Sequence, residues 1–245
     1  MTSAPATAPW WHPFATPEGA TVLHVDLTPD AAREAGASSW LDEEEAERWR
    51  RYPYSGPRRQ FALCRAALRA VLCEQLGCGN EELSFPTSAH GKPAALVGGE
   101  PAPVSFNVSH SGRHGLVAFA PGGRLGVDVE ELGPRRNLEL LMEGVLGPAE
   151  RAAVRSREGP DQPRFFLRLW TMKEALLKAH GRGFLLDATA FEIPPAVRRG
   201  ATRGTLELPQ EPGVIWQLEE LGDERFAAAL ARDVSPGPAG SGAQR

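Results

Sequence analysis

The chain has 245 residues, of which 42% are hydrophobic and 24% charged, and its formal net charge is −4. This composition predicts a globular protein with one large or two small domains, and the weak overall charge gives no argument for a nucleic acid partner. No stretch approaches the roughly 20 apolar residues that span a bilayer. The first residues lack the basic start and apolar run of a secretory signal, so we expect a cytoplasmic protein without a membrane partner.

The first half of the chain predicts a strand, two helices and a hairpin. Residues 21–27 alternate like a strand, and the acidic-to-basic stretch LDEEEAERWRRY is typical of a helix. A second helix, from about residue 57 to 76, is predicted by one apolar stripe at helical spacing. Residues 104–109 and 115–120 then alternate like two strands, and the short connection HSGRH between them is typical of a hairpin.

The second half repeats this order of elements. Residues 125–130 predict a strand, GPAERAAV predicts the start of a helix, and residues 163–180 predict a long helix. Four further strands are predicted in TAFEI, GTLEL, VIWQLEE and RFAAALA. Although no sequence repeat is visible, the recurring order predicts a duplicated α+β architecture.

The cysteines show no pattern of paired spacings. Cys64, Cys73 and Cys78 are odd in number, and none forms a C-x-x-C pair beside two histidines. Neither a disulfide framework nor a zinc site is predicted. We interpret Cys64 and Cys73 as small core residues of a protein in a reducing compartment.

Along the chain, four segments are predicted. The Pro/Gly/Ser-rich end, SPGPAGSGAQR, has the composition of a disordered tail. The segments are a flexible N-terminal segment (1–19), an N-terminal α+β subdomain (20–121), a C-terminal α+β subdomain (122–234) and the tail (235–245).

The long helix carries two charged residues one turn apart, Glu174 and Lys178. On a solvated face such a pair contributes a few tenths of a kcal/mol. This helix is apolar almost all round, which predicts burial on more than one side. A carboxylate there needs a partner, and Lys178 and a metal ion are both candidates. We expect Asp161 to cap the helix and Gly181 to end it.

The predicted strand LGVDVE carries two carboxylates. The two-residue period puts Asp128 and Glu130 on the same side, about 7 Å apart at the backbone. Oxygen ligands without cysteine or histidine neighbours suit Mg²⁺. The alternative is an edge strand whose polar face lies in water.

Several groups suited to anions occur in the first half. The stretch from Arg48 to Arg69 has seven arginines and no acid, and arginine forks match phosphate geometry. Lys92 follows in a turn, and NVSHSG combines small hydroxyls with a histidine. The alternatives are a solvated basic face and a hydrogen-bonded hairpin turn.

Together, five motifs resemble those of the Sfp-type 4′-phosphopantetheinyl transferases. In order they are RRYPYSGPRRQF, GKP, FNVSHSG, GVDVE and WTMKEALLKAHGRG, and they lie within residues 48–184. The resemblance implies two similar α/β subdomains in a pseudo-two-fold arrangement, with the active site in the cleft between them. Such a pseudo-dimer within one chain is expected to work as a monomer.

The resemblance also implies the reaction. A family member moves 4′-phosphopantetheine from coenzyme A to a serine of an acyl or peptidyl carrier protein, with Mg²⁺, and releases adenosine 3′,5′-bisphosphate. The sequence leaves open whether the carrier serves fatty acid, polyketide or non-ribosomal peptide synthesis. It also leaves open the docking surface, for which LGPRRNLELLMEGVLG is a candidate.

The resemblance assigns the metal and the catalytic chemistry to a few acids and lysines. Asp128, Glu130 and Glu174 match the Mg²⁺ ligands, and Asp128 thereby takes part in catalysis. Glu174 is expected to act as general base, directly or through a metal-bound water. Lys178 is expected to contact the phosphate that leaves, and Lys173 to have a supporting role.

For coenzyme A, the resemblance assigns contacts in the first half of the chain. Lys92, Ser109 and His110 match contacts near the adenine and the phosphates. Arg51 and Arg59 resemble a clamp for the 3′-phosphate, and Lys178 also contacts the coenzyme. Three other functions are weighed against this one: a Mg²⁺-dependent nucleotide phosphohydrolase, a non-catalytic coenzyme- or phosphoprotein-binding module, and a structural protein without ligand.

Overall fold

The computed structural model describes residues 9–86, 92–133, 137–181 and 186–234. By their contacts these residues divide into two units. The first unit comprises the described residues up to Gly122 together with Val129–Glu131, and the second comprises Gly123–Asp128 and the described residues from Leu132 onward. Residues 1–8 of the predicted flexible segment and the whole predicted tail, 235–245, lie outside the described residues, as does Gly91 of the GKP motif.

The first unit is built from strands and three helices. Its elements are β1 (Trp11–Ala15), β2 (Thr21–Asp26), α1 (Ala31–Ser38), α2 (Glu43–Arg51), α3 (Ser55–Leu76), β3 (Leu83–Ser84), β4 (Leu96–Val97), β5 (Glu100–Pro101), β6 (Ser105–Ser111) and β7 (His114–Ala120). Strands β1, β2, β7 and β6 form an antiparallel sheet in that order, and β3, β4 and β5 form a small separate one.

Helix α3 packs closely on the main sheet of this unit at a glycine. A Cβ atom on Gly115 would lie 2.6 Å from the Cys64 sulfur and 3.2 Å from Val25 Cβ, so a side chain there would push the helix away. The helix ends at Gly77, whose φ of 65° is the left-handed conformation that glycine adopts without strain. Cys64 is a buried free thiol, as its interpretation as a core residue predicted.

Arg69 of α3 is fully buried, and its guanidinium connects three parts of the first unit. Its Nε donates to Glu45 at 2.6 Å, and another nitrogen pairs with Asp42. A third nitrogen donates to Asn80 and to the Leu83 carbonyl at 3.0 Å. Because a buried cation needs all its donors satisfied, these partners fix α2 and the start of β3 on α3.

The second unit carries the remaining helices and strands. Its elements are β8 (Leu125–Glu131, of which the last three residues belong to the first unit), α4 (Leu138–Val145), α5 (Pro148–Arg155), α6 (Asp161–His180), α7 (Pro195–Arg198), β9 (Arg203–Leu208), β10 (Glu211–Glu220) and β11 (Phe226–Asp233). The sheet order is β8-β11-β10-β9, and α6 packs along β11 over a core that includes Trp216 and Phe166.

The predicted mixed fold of helices and antiparallel strands is confirmed, and so are both long helices. The pseudo-two-fold arrangement and the domain limits stay predictions, although β1 falls within the segment 1–19 that was expected to be flexible. Helices α1 and α4 had no counterpart in the sequence analysis. In the described part of the chain, every helix is too short or too polar to cross a bilayer.

Two local predictions in the second unit are wrong. TAFEI is not a strand: a short 3-10 turn covers Ala188–Ala190, and the buried side chains of Phe191 and Ile193 follow it. Their alternation is real, but Lys173 and Glu150 occupy the backbone groups that a neighbouring strand would need. Asp161 does not cap α6, because it is already the first helical residue, whereas Gly181 ends the helix as predicted, with φ 81°.

An ion pair with no exposed surface lies in the core of the second unit. The Lys173 ammonium is 2.7 Å from Glu150 Oε2 and donates to the carbonyls of Ala188 and Phe191, each at 2.7 Å. Glu150 accepts in turn from the backbone amides of Gly147 and Ile193. Burial lowers the pKa of Lys173 by penalising its charged form, and Glu150 opposes that effect. The supporting role expected for Lys173 is therefore structural.

Replacing Lys173 should destabilise the protein strongly. Lys173→Met keeps the length of the side chain but leaves Glu150 buried without its cation, and we expect a loss of about 3–5 kcal/mol in the free energy of unfolding. Urea denaturation measures it. Arg203→Gln, which removes an exposed partner of Glu219, is the control and should change stability by about 1 kcal/mol or less. Equal effects of the two substitutions would contradict a structural role for the buried pair.

Candidate functional site

In the second unit, a glycine lets α6 come very close to β8. A Cβ atom on Gly126 would overlap the Ala175 carbonyl oxygen and the Ala179 amide nitrogen, and would lie 3.0 Å from Ala179 Cα. Any larger residue would force the helix off the strand. The next residue on that side of β8 is Asp128, so this contact brings the acidic strand and the lysine-bearing turn of α6 together.

Asp128 and Lys178 form an ion pair at this contact. The Lys178 ammonium lies 2.7 Å from Asp128 Oδ1 and 3.4 Å from the Val127 carbonyl oxygen. The Asp128 side chain is 6% exposed and that of Lys178 31%, so the pair has one buried and one accessible member. Glu174 lies one turn before Lys178 and is half-buried. The sequence analysis considered Lys178 as a candidate partner of Glu174, and it did not predict Asp128 as a partner of Lys178.

In the first unit, the end of β6 lies beside the end of β8. Ser111 Oγ donates to Glu130 Oε2 at 2.9 Å. Ser109 Oγ, which is buried, accepts from the Val129 amide at 3.4 Å. His110 is exposed on the opposite side of β6. The serines of the NVSHSG motif therefore contact the acidic strand, while the histidine is on the exposed side of β6.

A pocket of about 710 Å³ in the first unit is lined by charged and aromatic side chains. Arg48, Arg51 and Arg65 line it, and Arg65 lies 4.7 Å from the centre of the Phe85 ring. The other lining residues include Pro93, beside Lys92, and Asn107 and Val108, which precede Ser109 and His110; acids are present as Asp42, Glu44, Glu45 and Glu47. The volume is within the range of organic ligand sites.

The two arginines of the predicted 3′-phosphate clamp have different surroundings. The Arg51 side chain is 78% exposed, and its contact is an ion pair with Glu47 at 3.2 Å. Arg59 is mostly buried, with Nε donating to the Leu27 carbonyl and a second nitrogen 3.5 Å from Glu34. Arg51 lines the pocket and Arg59 is not among its lining residues.

Comparison with known proteins covers both units. Residues 27–121 match a family model described as 4′-phosphopantetheinyl transferase, N-terminal, and residues 124–231 match the 4′-phosphopantetheinyl transferase superfamily. The 4′-phosphopantetheinyl transferase HetI of Nostoc sp. is 32% identical over 197 residues, which cover 78% of each chain. The chain belongs to the 4′-phosphopantetheinyl transferase family. This match confirms the enzyme family predicted from the five motifs.

Two further relatives of the family align over shorter stretches. The protein slr0495 of Synechocystis sp., named as a candidate 4′-phosphopantetheinyl transferase, is 37% identical over 148 residues, or 60% of each chain. The transferase Sfp of Bacillus subtilis is 27% identical over 155 residues, which cover 63% of this chain and 66% of Sfp. The chain thus spans less than two thirds of the length of these two proteins.

The chemistry of the three predicted metal ligands suits the Mg²⁺ that the family resemblance implies. Asp128, Glu130 and Glu174 offer carboxylate oxygens only, which is the donor type that Mg²⁺ prefers. In the structure, Lys178 contacts Asp128 and Ser111 contacts Glu130. Within the described ranges, no three acidic, histidine or cysteine side chains form a ready cluster for a metal ion.

Several residues of the site region were not singled out by sequence reasoning. Ser111 was considered only as one of the hydroxyls of the NVSHSG motif and not as a partner of Glu130, although it follows Ser109 by two residues on β6 and so shares its side of the strand. Phe85 carried no motif. The feature of the sequence that could have identified Phe85 is its position shortly before the GKP turn, in the same half of the chain as the arginine-rich helix.

Gly126 should be intolerant of any side chain. Gly126→Ala forces β8 and α6 apart, and we expect a loss of about 1–3 kcal/mol in the free energy of unfolding, as for other overpacked cores. Gly144→Ala is the matched control, because Gly144 lies in α4 with open space around it and alanine favours a helix. Urea denaturation should therefore show opposite shifts, and equal stability of Gly126→Ala and the wild type would rule out the close contact.

Proposed function

We propose that this protein transfers 4′-phosphopantetheine from coenzyme A to a serine of an acyl or peptidyl carrier protein and releases adenosine 3′,5′-bisphosphate. The observation that carries the proposal is the 2.7 Å pair between Asp128 and Lys178. These residues come from two separate family motifs, GVDVE and WTMKEALLKAHGRG. Their contact supports a common role in binding a phosphate-bearing substrate.

The pocket of the first unit supports binding of the nucleotide end of coenzyme A. Arg51 is proposed to contact the 3′-phosphate with the donors that Glu47 leaves available. Arg59 is proposed as the second arginine, through the donors not used by Leu27 and Glu34. Lys92, Ser109 and His110 are proposed to contact the adenine and the phosphates, because they adjoin the lining residues Pro93 and Val108.

Asp128, Glu130 and Glu174 are the residues proposed to hold Mg²⁺. When bound, Mg²⁺ would neutralise charge on the pyrophosphate and so favour attack by a nucleophile. Lys178 supplies a positive charge beside Asp128. If the three carboxylates share one cation, its charge offsets the repulsion between them.

In the proposed mechanism, the carrier serine attacks the β-phosphorus of coenzyme A. A bond from the serine oxygen to phosphorus forms, and the bond from phosphorus to the bridging oxygen of adenosine 3′,5′-bisphosphate breaks. Glu174 accepts the serine proton. Lys178 is proposed to stabilise the negative charge on the leaving phosphate, and His110 to neutralise charge on the pyrophosphate.

The carrier protein is the proposed macromolecular partner, and the enzyme is proposed to be a cytoplasmic monomer. We further propose the pseudo-two-fold pairing of subdomains that the sequence resemblance implies. The segment LGPRRNLELLMEGVLG stays the candidate docking surface. Residues 134–136 of it lie outside the described residues, and Leu140 of it is 67% exposed.

Mass spectrometry of apo-carrier proteins tests the proposal directly. After incubation with the protein, coenzyme A and Mg²⁺, a carrier serine should gain about 340 Da, the mass of phosphopantetheine. Coenzyme A should stay intact when no carrier is present. Hydrolysis of coenzyme A without a carrier would indicate a phosphohydrolase, and binding without transfer to any carrier of a broad panel would indicate a binding module.

The proposed base and phosphate ligand can be separated by mutation. We expect Glu174→Gln to lower carrier labelling by at least about a hundredfold, because proton transfer by a positioned base contributes that much. Glu224→Gln, at an exposed residue of the second unit, should label carriers normally. Turnover of Glu174→Gln near that of the control would remove Glu174 as base.

Lys178→Ala tests stabilisation of the leaving phosphate. If Lys178 acts in the transition state, kcat should fall by about two or three orders of magnitude. A rise in KM for coenzyme A at unchanged kcat would instead assign Lys178 to ground-state binding. Folding of the variant is checked by its urea midpoint.

Transfer should depend on a divalent cation. Chelation should abolish carrier labelling, because carboxylates alone leave the pyrophosphate charge uncompensated. Addition of Mg²⁺ or Mn²⁺, but not of K⁺, should restore it. Full labelling in excess chelator would exclude the proposed metal role of Asp128, Glu130 and Glu174.

A further inference from the structure

A second pocket, of about 390 Å³, lies in the second unit near the start of α6. Phe165 and Phe226 are its aromatic lining residues. Guanidinium groups are its dominant polar feature, contributed by Arg157, Arg164, Arg168, Arg198 and Arg199. The residues proposed above for catalysis, for Mg²⁺ and for coenzyme A all lie outside this pocket, whose lining shares Leu132 with the candidate docking segment.

Two of the three acids at this pocket are already neutralised. Arg168 donates to Glu220 at 2.8 Å, and Arg225, which is not a lining residue, holds Asp223 at 2.6 Å and 3.0 Å. Asp161 is the third acid and is exposed. Of the other lining arginines, Arg198 pairs with Glu192 at 3.5 Å. Arg157, Arg164 and Arg199 therefore leave an excess of positive charge over Asp161.

Some of these arginines have hydrogen-bond donors that no acceptor among the described residues uses. In the part of the chain that the structure describes, the Arg157 and Arg199 side chains make no hydrogen bond and no ion pair. Arg157 instead lies over the Phe165 ring, 4.7 Å from its centre. Arg164 uses one donor for the Asp223 carbonyl, and Arg198 is held by Glu192. The pocket thus has unused donors directly beside aromatic surface.

We propose that this pocket binds an aromatic phosphate ester of the size of a nucleoside monophosphate. Several guanidinium groups match the charge and the oxygen geometry of a phosphate. The volume suits a ligand larger than inorganic phosphate. The half-buried Phe165 ring offers surface to an aromatic group, whereas Phe226 is fully buried behind the pocket wall. Arg164 and Glu174 are ten residues apart on α6, which corresponds to about 15 Å, so the site is distinct from the proposed transfer site.

Amide NMR spectra of the isotopically labelled full chain test the proposal, with adenosine 5′-monophosphate as the probe. We expect the probe to shift the amides of Phe165, Phe226 and Ala227. Adenosine and inorganic phosphate should each bind more weakly than the intact probe. Because the readout is confined to this pocket, it reports on the proposal even if coenzyme A does not bind or carrier transfer fails.

Two double variants with the same loss of charge sharpen the test. Arg157→Gln/Arg199→Gln should raise the apparent Kd for adenosine 5′-monophosphate by about tenfold or more, since charge-assisted bonds are lost. Arg155→Gln/Arg203→Gln removes two exposed arginines of the same unit that do not line the pocket, and should leave the Kd unchanged.

Three results would overturn the proposal. Equal weakening by both double variants would mean that only the overall charge attracts the probe. Shifts confined to amides outside the pocket would mean that the probe binds elsewhere. Binding of inorganic phosphate as tight as that of the probe would exclude a role for the aromatic body.

Discussion

The buried contact between Lys173 and Glu150 fixes the rotation of α6, and much of the second unit depends on it. Successive helical residues project about 100° apart, so once Lys173 points into the core, the direction of its neighbour Glu174 is settled. The same ammonium holds the chain at Ala188 and Phe191, and Glu150 holds Ile193. One ion pair thereby sets both the position of the chain from Ala188 to Ile193 and the side of the helix that carries Glu174. Gly126 then determines how close that helix lies to β8.

Much of the fold could be predicted from residue periodicity, because periodicity reports which side of an element is buried. It predicted the two long helices and the strands β2 and β6 to β11, but not β1 or the short strands β3, β4 and β5. It failed at TAFEI, where Phe191 and Ile193 are buried as alternation requires but the backbone pairs with Lys173 and Glu150. Burial of side chains is encoded locally, whereas the partner of a backbone group depends on residues far along the chain.

The arginine-rich stretch illustrates the same limit for the candidate site. Its seven arginines were interpreted together because no acid lies among them in sequence. In the structure, acids from outside the stretch give individual arginines different partners. Asp42 and Glu45 bind Arg69, and Glu34 lies near Arg59. Arg51 keeps an exposed guanidinium. Residue type therefore identified an anion-binding region, but only the three-dimensional partners distinguish an arginine that maintains the fold from one that is accessible to a ligand.

Strand β8 belongs to both units, and this has a consequence for synthesis on the ribosome. Chain order would suggest that the first unit is complete once Gly122 has been made. Its final members are Val129–Glu131, however, and six residues of the second unit, Gly123–Asp128, precede them. Residues of the second unit must therefore be synthesised before the first unit can form the contact between Glu130 and Ser111. Co-translational folding of this protein cannot proceed strictly one unit at a time, because the first unit is complete only after the acidic strand β8 has been synthesised.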